Sequence, residues 1–355
     1  MRMFQLRYQS YYYSKSQPLP NIEELPEFAQ VAFAFCRDWL AGQETFTQWT
    51  SGSTGAPKLQ ALNRTQMVAS AAATGAFFGT TSNQELLCCL NPSYIAGKMM
   101  LVRALVWDCP ITLVEPSANP LLGLEGKISF VALVPLQVEN CLADKKSRLL
   151  LQSIPQVLIG GAALPYKIQR ELIQHKIRAW QSFGMTETVS HIALAEIGDG
   201  KLLYQALPGV AIGINEQQCL WIQSPMSGGE KIQTNDNIEL RSKNTFTWLG
   251  RADFVVNSGG IKLFPEQLER RIAPLLDETC PGGTYFLFGE KDPRLGERLV
   301  LFVEGTEDES KRLALKAGLK RILGKYEVPK EIYFKIAFAY TPSGKINRHV
   351  TAATL

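Results

Sequence analysis

Residues 154–183, IPQVLIGGAALPYKIQRELIQHKIRAWQSF, contain the pattern that decides the fold class. Two short apolar segments, IPQVLIG and IRAWQSF, stand on either side of a helix predicted over 165–177. Proline suits the first position of a helix, and Ile168, Leu172 and Ile173 recur at the spacing of one helix face. A strand, a helix and a strand in this order predict two parallel strands joined by a crossover helix.

The same alternation is present on the N-terminal side of this unit. Three further apolar segments, LLCCL, CPITLVE and KISFVALV, lie within 86–134 and are separated by helix-like stretches. Over 201–250 the pattern changes to short alternating segments with turn residues, as in AIGINEQQCLWIQ and IELRSKNTFTWLG. We therefore predict an α/β domain with a largely parallel sheet and a β-rich subregion.

A smaller unit is predicted after Arg251. Its order is a helix (PEQLERRIAPLLDE), two strands (TYFLFGE and RLVLFVEG), a basic helix (DESKRLALKAGLKRIL) and a last strand (EIYFKIAFA). This order is typical of a small α+β module. The GRAD turn at 250–253 marks the boundary, so we predict a large domain over 1–250 and a small domain over 254–355.

Composition excludes several classes of protein. Hydrophobic content of 46% and charged content of 20% are ordinary for a soluble globular protein, and a net charge of +4 provides no basic stripe for nucleic acid. The seven cysteines show no CxxC or CxH spacing, so we expect buried free thiols rather than a zinc site or disulfides. No apolar run is long enough for a signal peptide or a membrane span, and we expect a cytoplasmic protein.

The segment TSGSTGAPK at 50–58 has the composition of a phosphate-binding loop. Gly52 and Gly55 let the backbone approach a ligand closely, and consecutive backbone N–H groups can form a nest for an anion beside Lys58. It is not a P-loop of the G-x-x-x-x-G-K-[ST] type, because Ala56 and Pro57 separate the last glycine from the lysine. Taken alone, the segment could also be a surface turn.

Six motifs in order identify a resemblance to the adenylate-forming superfamily, which includes acyl-CoA synthetases, luciferases and the adenylation domains of peptide synthetases. The motifs are TSGSTGAPK at 50–58, GGAALP at 160–165, QSFGMTET at 181–188, TND at 234–236, GRADFVVNSGGIKLFPEQLE at 250–269 and TPSGKINR at 341–348. The resemblance implies the adenylate-forming enzyme fold, with a shortened N-terminal region, a large α/β domain and a small α+β C-terminal domain. It also implies an AMP-forming acid–thiol ligase that uses ATP, Mg²⁺ and CoA.

The resemblance assigns the nucleotide site residue by residue. ATP and AMP contacts are implied for Thr50, Ser51, Gly52, Ser53, Thr54, Gly55, Lys58, Gly160, Gly161, Ala162, Ser182, Phe183, Gly184, Met185, Asp236 and Arg251. Phe183 stands where the family has an aromatic residue beside adenine, and Asp236 stands where the family binds the ribose hydroxyls. The usual T-G-D is T-N-D here, so we expect Asn235 to take a positive φ, which asparagine tolerates.

The chemistry of adenylation agrees with these assignments. A carboxylate joins the α-phosphate of ATP and pyrophosphate leaves, so catalysis consists mainly of positioning and neutralising charge. Glu187 is a hard oxygen ligand suited to Mg²⁺, and the resemblance implies that Thr186 contacts the phosphate. Lys345 matches the lysine that neutralises charge on the acyl and phosphate oxygens.

The resemblance also implies movement of the small domain between two steps. Asp253, in the stretch 251–253, matches the hinge. Lys345 is expected over the active site during adenylation. In the second step, Ser258, Gly259 and Gly260 are expected to form the path for CoA.

Within the superfamily, NPSYIAGKMMLVRALV at 91–106 and SFGMTETVSHIALAEI at 182–197 are most similar to the o-succinylbenzoate–CoA ligases of menaquinone biosynthesis. Their substrate carries a second carboxylate, so a cation or a strong hydrogen-bond donor is expected in the acid pocket. Our first candidate is Lys98 and our second is His191, whereas we expect Arg103 to form a structural ion pair.

Three other functions remain open. They are another aryl- or acyl-CoA ligase, an adenylating enzyme that loads a carrier protein, and a non-catalytic nucleotide-binding protein. The presence of Glu187 and Lys345 argues against a non-catalytic nucleotide-binding protein. Only 49 residues precede the phosphate loop, fewer than in relatives, so the pocket wall and the oligomeric state, monomer or homodimer, are left open. The expected partners are a carboxylic acid, ATP and CoA, with no nucleic acid.

Overall fold

The computed structural model describes residues 3–50, 58–80, 82–341 and 346–353. The strands are β1 (Gln5–Tyr8), β2 (Tyr11–Tyr13), β3 (Thr45–Thr50), β4 (Lys58–Asn63), β5 (Leu86–Cys88), β6 (Pro110–Leu113), β7 (Phe130–Leu133), β8 (Gln156–Ile159), β9 (Ala179–Gly184), β10 (His191–Glu196), β11 (Tyr204–Ala206), β12 (Ala211–Ile214), β13 (Cys219–Gln223), β14 (Lys231–Ser242), β15 (Thr245–Arg251), β16 (Val256–Ser258), β17 (Ile261–Leu263), β18 (Tyr285–Asp292), β19 (Gly296–Glu304) and β20 (Glu331–Lys335). The helices are α1 (Glu27–Leu40), α2 (Arg64–Phe78), α3 (Ile95–Trp107), α4 (Pro135–Ala143), α5 (Lys145–Ser153), α6 (Tyr166–Gln174), α7 (Pro265–Thr279), α8 (Glu309–Ile322) and α9 (Arg348–Ala353).

One long sheet runs through the first 251 residues, in the order β12-β13-β14-β15-β11-β10-β9-β8-β7-β5-β6-β1-β2. Its central strands, from β9 to β6, are parallel, whereas β10 to β15 are antiparallel. The predicted parallel sheet and the β-rich subregion are therefore confirmed. Helix α6 connects β8 to β9 as the strand–helix–strand pattern predicted.

The central sheet is covered on both faces. Successive residues of each strand alternate between two apolar clusters, as Leu86 and Leu87 do in β5. The first cluster includes buried residues of α1, α2 and α3, and the second includes residues of α4, α5 and α6. All seven cysteines are buried and free, as expected, and burial raises the pKa of the Cys88 thiol to about 12. Among the described helices, none has the length and apolar character of a bilayer span.

A short N-terminal segment completes one edge of the sheet. Strand β1 pairs in parallel with β6 and antiparallel with β2, and α1 packs beside them. The hairpin β3–β4, whose strands flank the predicted phosphate loop in the sequence, is a separate two-stranded sheet. It is attached to α1 through Phe46, which packs on Phe35 and Trp39 with ring centroids 4.8 and 5.6 Å apart.

The C-terminal unit has its own sheet and core. Strands β17, β16, β19 and β18 lie side by side, and β20 pairs with β19. Helices α7 and α8 cover one face through Leu268, Ile272 and Leu315. The predicted order of elements is confirmed, with the additional hairpin β16–β17, and α7 also packs against β15 and α6 of the large unit. The division into domains at 251–253 stays a prediction.

Candidate active site

A cavity of about 480 Å³ opens where the parallel strands β7, β8 and β9 end. The carboxyl ends of parallel strands are the usual place for a ligand in such sheets. A larger cavity of about 630 Å³ lies at the opposite ends of β8 and β9, but it lacks the glycine-containing loops of the sequence motifs. The motifs therefore place the candidate active site in the smaller cavity.

Two loops from neighbouring strands form one wall of the cavity. They are the segment 160–163 after β8 and the segment 182–185 at the end of β9. The loops lie so close that a Cβ atom on Gly160 would come within 2.4 Å of Ser182 Oγ, and Ser182 Oγ donates to Ile159 O at 3.2 Å. Gly161 has φ of 84°, which favours glycine. The structure thus brings these predicted nucleotide contacts together.

Phe183 is held by two other aromatic residues. Its ring meets those of Tyr204 and Phe246 edge-on, with centroids 5.7 and 5.3 Å apart, and these two rings stack on each other. Burial raises the pKa of Tyr204 to about 12, so its hydroxyl is neutral at physiological pH. Phe183 and Tyr204 both line the cavity, which gives it an apolar surface suited to a flat base.

Asp236 also lines the cavity and lies near the predicted hinge. Its Oδ1 accepts a hydrogen bond of 2.9 Å from Trp248 Nε1. Arg251 forms an ion pair with Asp253, with Nη2 and Oδ2 separated by 2.5 Å. Asn235 is not among the described residues with positive φ, so the predicted reason for asparagine in T-N-D is wrong. Instead, Asn235 Nδ2 donates to Asp253 Oδ1 at 3.4 Å, which ties the motif to the hinge residue.

Thr186 and Glu187 lie on a tight turn over Thr186–Thr188. The turn is followed by Val189, which has φ of 62° although it is β-branched and buried. Such strain is retained where the surrounding structure fixes it, often at functional sites. Thr186 lines the cavity and Glu187 is exposed beside it.

The residues at this turn fit a magnesium ion bound together with a nucleotide. The described residues contain no group of three or more His, Cys, Asp or Glu that could hold a metal. Mg²⁺ is commonly held by one or two carboxylates, with substrate phosphates and water as the other ligands. Glu187 would be the protein ligand, and the ion would neutralise phosphate charge.

A buried polar cluster also borders the cavity. His191 is the first residue of β10, and its Nε2 lies 3.1 Å from Thr74 Oγ1. The Thr74 hydroxyl donates to Ser70 O at 2.9 Å, so it accepts from His191 Nε2–H. The Nδ1 atom then carries a lone pair. Burial and the nearby Arg103 hold the pKa of His191 well below its usual value, so the imidazole is neutral.

Arg103 faces this lone pair and has no anionic partner among the residues that the structure describes. Its side chain is 2% exposed, and its Nη2 is 3.5 Å from His191 Nδ1. Its Nη1 donates to Met100 Sδ at 3.5 Å, and its Nε has no hydrogen bond in the described residues. Burial lowers the pKa of Arg103 to about 10, which still leaves it charged at neutral pH. The expected ion pair is thus absent from the described part of the chain, and Arg103 lines the cavity instead.

Lys98 is placed differently from our expectation. Its Nζ donates to Thr47 O of β3 at 3.1 Å and lies 5.8 Å from the centre of the Phe35 ring. Lys98 is 8% exposed and is not among the residues that line the cavity. The structure therefore places Lys98 outside the cavity, which contradicts its rank as our first candidate for the acid contact. The lysine connects α3 to the hairpin that leads into the phosphate loop.

We expect Lys98→Met to change the KM for the acid by less than about 3-fold, because the lost hydrogen bond lies outside the cavity. The KM for ATP should rise more, since β3 leads directly into the segment 50–58. Steady-state kinetics with each substrate varied in turn would measure both values. A rise confined to the acid KM would contradict this placement.

Several predicted contacts lie outside the described residues. They are Ser51, Gly52, Ser53, Thr54, Gly55 and Lys345, together with the side chains of Thr50 and Lys58. Ser258, Gly259 and Gly260 form the turn of the β16–β17 hairpin, and both glycines have positive φ. Their role in CoA entry stays a prediction. The sequence did not single out Thr74, Tyr204, Trp248 or Arg270, all of which lie at or beside the cavity.

Comparison with known proteins agrees with the geometry. The model of the AMP-binding enzyme family matches residues 16–219, and the chain belongs to this family. The 2-succinylbenzoate–CoA ligase of Listeria innocua is 26% identical over 93% of this chain and 74% of its own length. The Lactococcus lactis enzyme of the same name is 27% identical over 76% of this chain and 62% of its own length. The chain thus spans between three fifths and three quarters of these two relatives.

Two solved structures show the same fold. An acyl-CoA synthetase (AMP-forming)/AMP-acid ligase II-like protein from Dyadobacter fermentans is 39% identical, with a TM-score of 0.65 and coverage of 96% and 97% of the two chains. The o-succinylbenzoate CoA synthetase of Bacillus subtilis, in complex with ATP and magnesium, has a TM-score of 0.70 at 20% identity, over 86% and 69% of the chains. The predicted superfamily, the fold and the class of AMP-forming ligase are confirmed.

Proposed function

We propose that the protein is an ATP-dependent carboxylate–CoA ligase whose acid carries a second anionic group, with o-succinylbenzoate as the substrate. The reaction would give o-succinylbenzoyl-CoA, AMP and diphosphate, a step of menaquinone biosynthesis. The single observation that carries the choice of acid is Arg103, a buried and charged side chain at the cavity with no carboxylate beside it in the described part of the chain. A buried cation without a partner is costly, and a ligand carboxylate would compensate it.

Arg103 and His191 suit a carboxylate in complementary ways. A guanidinium offers several N–H donors that match a carboxylate, and within the described residues Arg103 uses only two of its nitrogens, both in long contacts. The neutral His191 accepts rather than donates at Nδ1, so it orients Arg103 and adds no second charge. The names of the relatives support the same acid.

We propose an order of events that uses the layout of the site. ATP would lie along the segments 160–163 and 182–185, with its ribose at Asp236. Thr186 and Glu187 would hold the phosphates and Mg²⁺. The acid would enter the end formed by Arg103 and His191, which sets its reacting carboxylate toward the α-phosphate. CoA would then take the acyl group from the adenylate.

The direct test is mass spectrometry of a reaction that contains ATP, Mg²⁺, CoA and o-succinylbenzoate. We expect the CoA thioester. A panel with benzoate, fatty acids and 3-benzoylpropionate, which lacks the ring carboxylate, would distinguish another aryl- or acyl-CoA ligase. A carrier-protein-loading enzyme would form the adenylate but no thioester with free CoA. If a monocarboxylate were preferred, the assignment of the acid would be wrong.

We expect Glu187→Gln to raise the Mg²⁺ concentration for half-maximal rate at least about tenfold, which corresponds to about 1.4 kcal/mol. The carboxamide keeps the shape of the side chain and removes the charge that a hard cation prefers. Because Glu187 is exposed, the free energy of unfolding should change by less than about 0.5 kcal/mol. Pyrophosphate release measured against Mg²⁺ concentration tests this, with the exposed Glu216→Gln as the control.

A further inference from the structure

Trp248 meets Asp236 because of an irregularity in the β14–β15 pair. Asp236 pairs with Arg251, but after a shift Ile238 pairs with Trp248, so Leu249 is an extra residue in β15. In a regular ladder Ile238 would face Leu249, and Trp248 would project from the other face of the sheet. The bulge places Trp248 on the same face as Asp236 and Arg251.

The contact between Trp248 and Asp236 fixes one carboxylate oxygen. The indole Nε1–H donates to Asp236 Oδ1 at 2.9 Å, and indole can only donate. The Asp236 backbone N donates to Thr234 Oγ1 at 3.0 Å, which holds the main chain of the same residue. In the described part of the chain Oδ2 makes no hydrogen bond or ion pair, so this oxygen can accept from a ligand hydroxyl at the cavity wall.

Arg270 adds a charge from the C-terminal unit. It lies on α7, and its guanidinium carbon is 4.9 Å from the centre of the Trp248 ring. Arg270 is half-buried, and no ion pair with it is seen in the described part of the chain. Both side chains line the nucleotide end of the cavity and an adjoining space of about 230 Å³ between α6 and α7.

We propose that Trp248 is a positioning residue that holds Asp236 for the ribose hydroxyls of the nucleotide, and that Arg270 of α7 strengthens this arrangement. The proposal rests on the ribose role of Asp236 in the proposed function. A cation over the indole face stabilises the ring in place and draws electron density from its N–H, which makes it a better donor to the carboxylate. The nucleotide end of the cavity is thus completed by a residue from beyond the predicted hinge.

The test measures nucleotide binding without acid, by calorimetry with Mg²⁺ and either ATP, 2′-deoxyATP or 3′-deoxyATP. Trp248→Phe keeps an aromatic ring for Arg270 and removes the donor. We expect the preference for ATP over the better-tolerated deoxy analogue to fall about 5-fold or more, in line with the loss of a hydrogen bond to a charged group. A merely structural role would weaken all three nucleotides equally and leave the preference unchanged.

Arg270→Met tests the contribution of the charge. We expect ATP to bind about 3-fold more weakly, as for a partly exposed cation over an aromatic face. Because the arginine acts through the indole, Trp248→Phe combined with Arg270→Met should bind ATP no more weakly than Trp248→Phe alone. The matched controls are Trp221→Phe and Lys231→Met, since Lys231 Nζ lies 4.2 Å over the Trp221 ring away from the cavity. Neither control should change the preference for ATP.

The outcomes separate this inference from the choice of acid. Additive effects of the two substitutions would overturn the role of Arg270, and an unchanged preference in Trp248→Phe would overturn that of Trp248. If Asp236→Asn also kept the full preference for ATP, the ribose assignment itself would be wrong and the inference with it. Because no acid is present in these measurements, a wrong acid in the proposed function would leave all of the expected results unaltered.

Discussion

Lys345→Ala is expected to lower the rate of acyl-adenylate formation about 100- to 1000-fold, as does the loss of one preorganised group at a charge-developing oxygen. This rests on the TPSGKINR motif, since Lys345 lies outside the residues that the structure describes. Thioester formation from preformed adenylate should be largely intact, because the lysine is proposed to act only when the acyl phosphate bond forms. Pyrophosphate exchange would measure the first step, and CoA consumption the second.

A matched lysine in the same unit provides the control for this experiment. Lys320 is exposed on α8, so Lys320→Ala should leave both half-reactions unchanged. An equal loss of rate in both half-reactions of Lys345→Ala would contradict the division of labour between the two steps. It would point instead to a general requirement for the intact C-terminal motif.

Arg103→Met is expected to raise the KM for a dicarboxylate acid about 10- to 100-fold, the range for a lost hydrogen-bonded charge pair. The KM for ATP should remain unchanged. Discrimination against 3-benzoylpropionate, which lacks the ring carboxylate, should largely disappear. Arg103→Lys should restore part of the affinity but less of the discrimination, because an ammonium group does not match a carboxylate with two parallel N–H groups.

The stability of the Arg103→Met variant distinguishes a ligand-binding role of Arg103 from a structural role. Arg103 is buried without an anionic partner in the described residues, so replacing it with methionine removes an uncompensated charge. We therefore expect the free energy of unfolding, measured with urea, not to fall. Arg178→Met, which removes a surface ion pair with Glu196, is the control for acid binding. Loss of stability without a change in acid KM would show that Arg103 is structural.

The predictable part of the fold is the part that depends on local patterns. The central strands and α6 follow from short apolar runs and from helix spacing within a few residues. The hairpin β16–β17 and the pairing of β1 with β6 do not, since nothing near β1 in the sequence indicates a partner at Pro110. Such pairings depend on tertiary contacts, and no local pattern in a single sequence reveals them.

In the candidate site, the sequence also does not predict which individual residues face the cavity. Lys98 and Arg103 are five residues apart on α3, so they point about 140° apart around the helix. The residues of α3 between them are all buried, so periodicity does not reveal which side meets the cavity. The role of Trp248 could not be predicted for a different reason. Only the extra residue in β15 turns Trp248 toward Asp236, and the sequence does not reveal this bulge.

The pairing of β1 with β6 has a consequence for the time course of folding during synthesis. Gln5 pairs with Pro110, so the ribosome must add about 100 residues before β1 has its partner, which takes roughly 5–20 s at cellular rates. During that interval Leu6 and Tyr8, both buried in the finished sheet, have no completed sheet to pack into. Strand β1 therefore docks well after it is made, and until then the nascent chain depends on chaperones or on α1 to cover it.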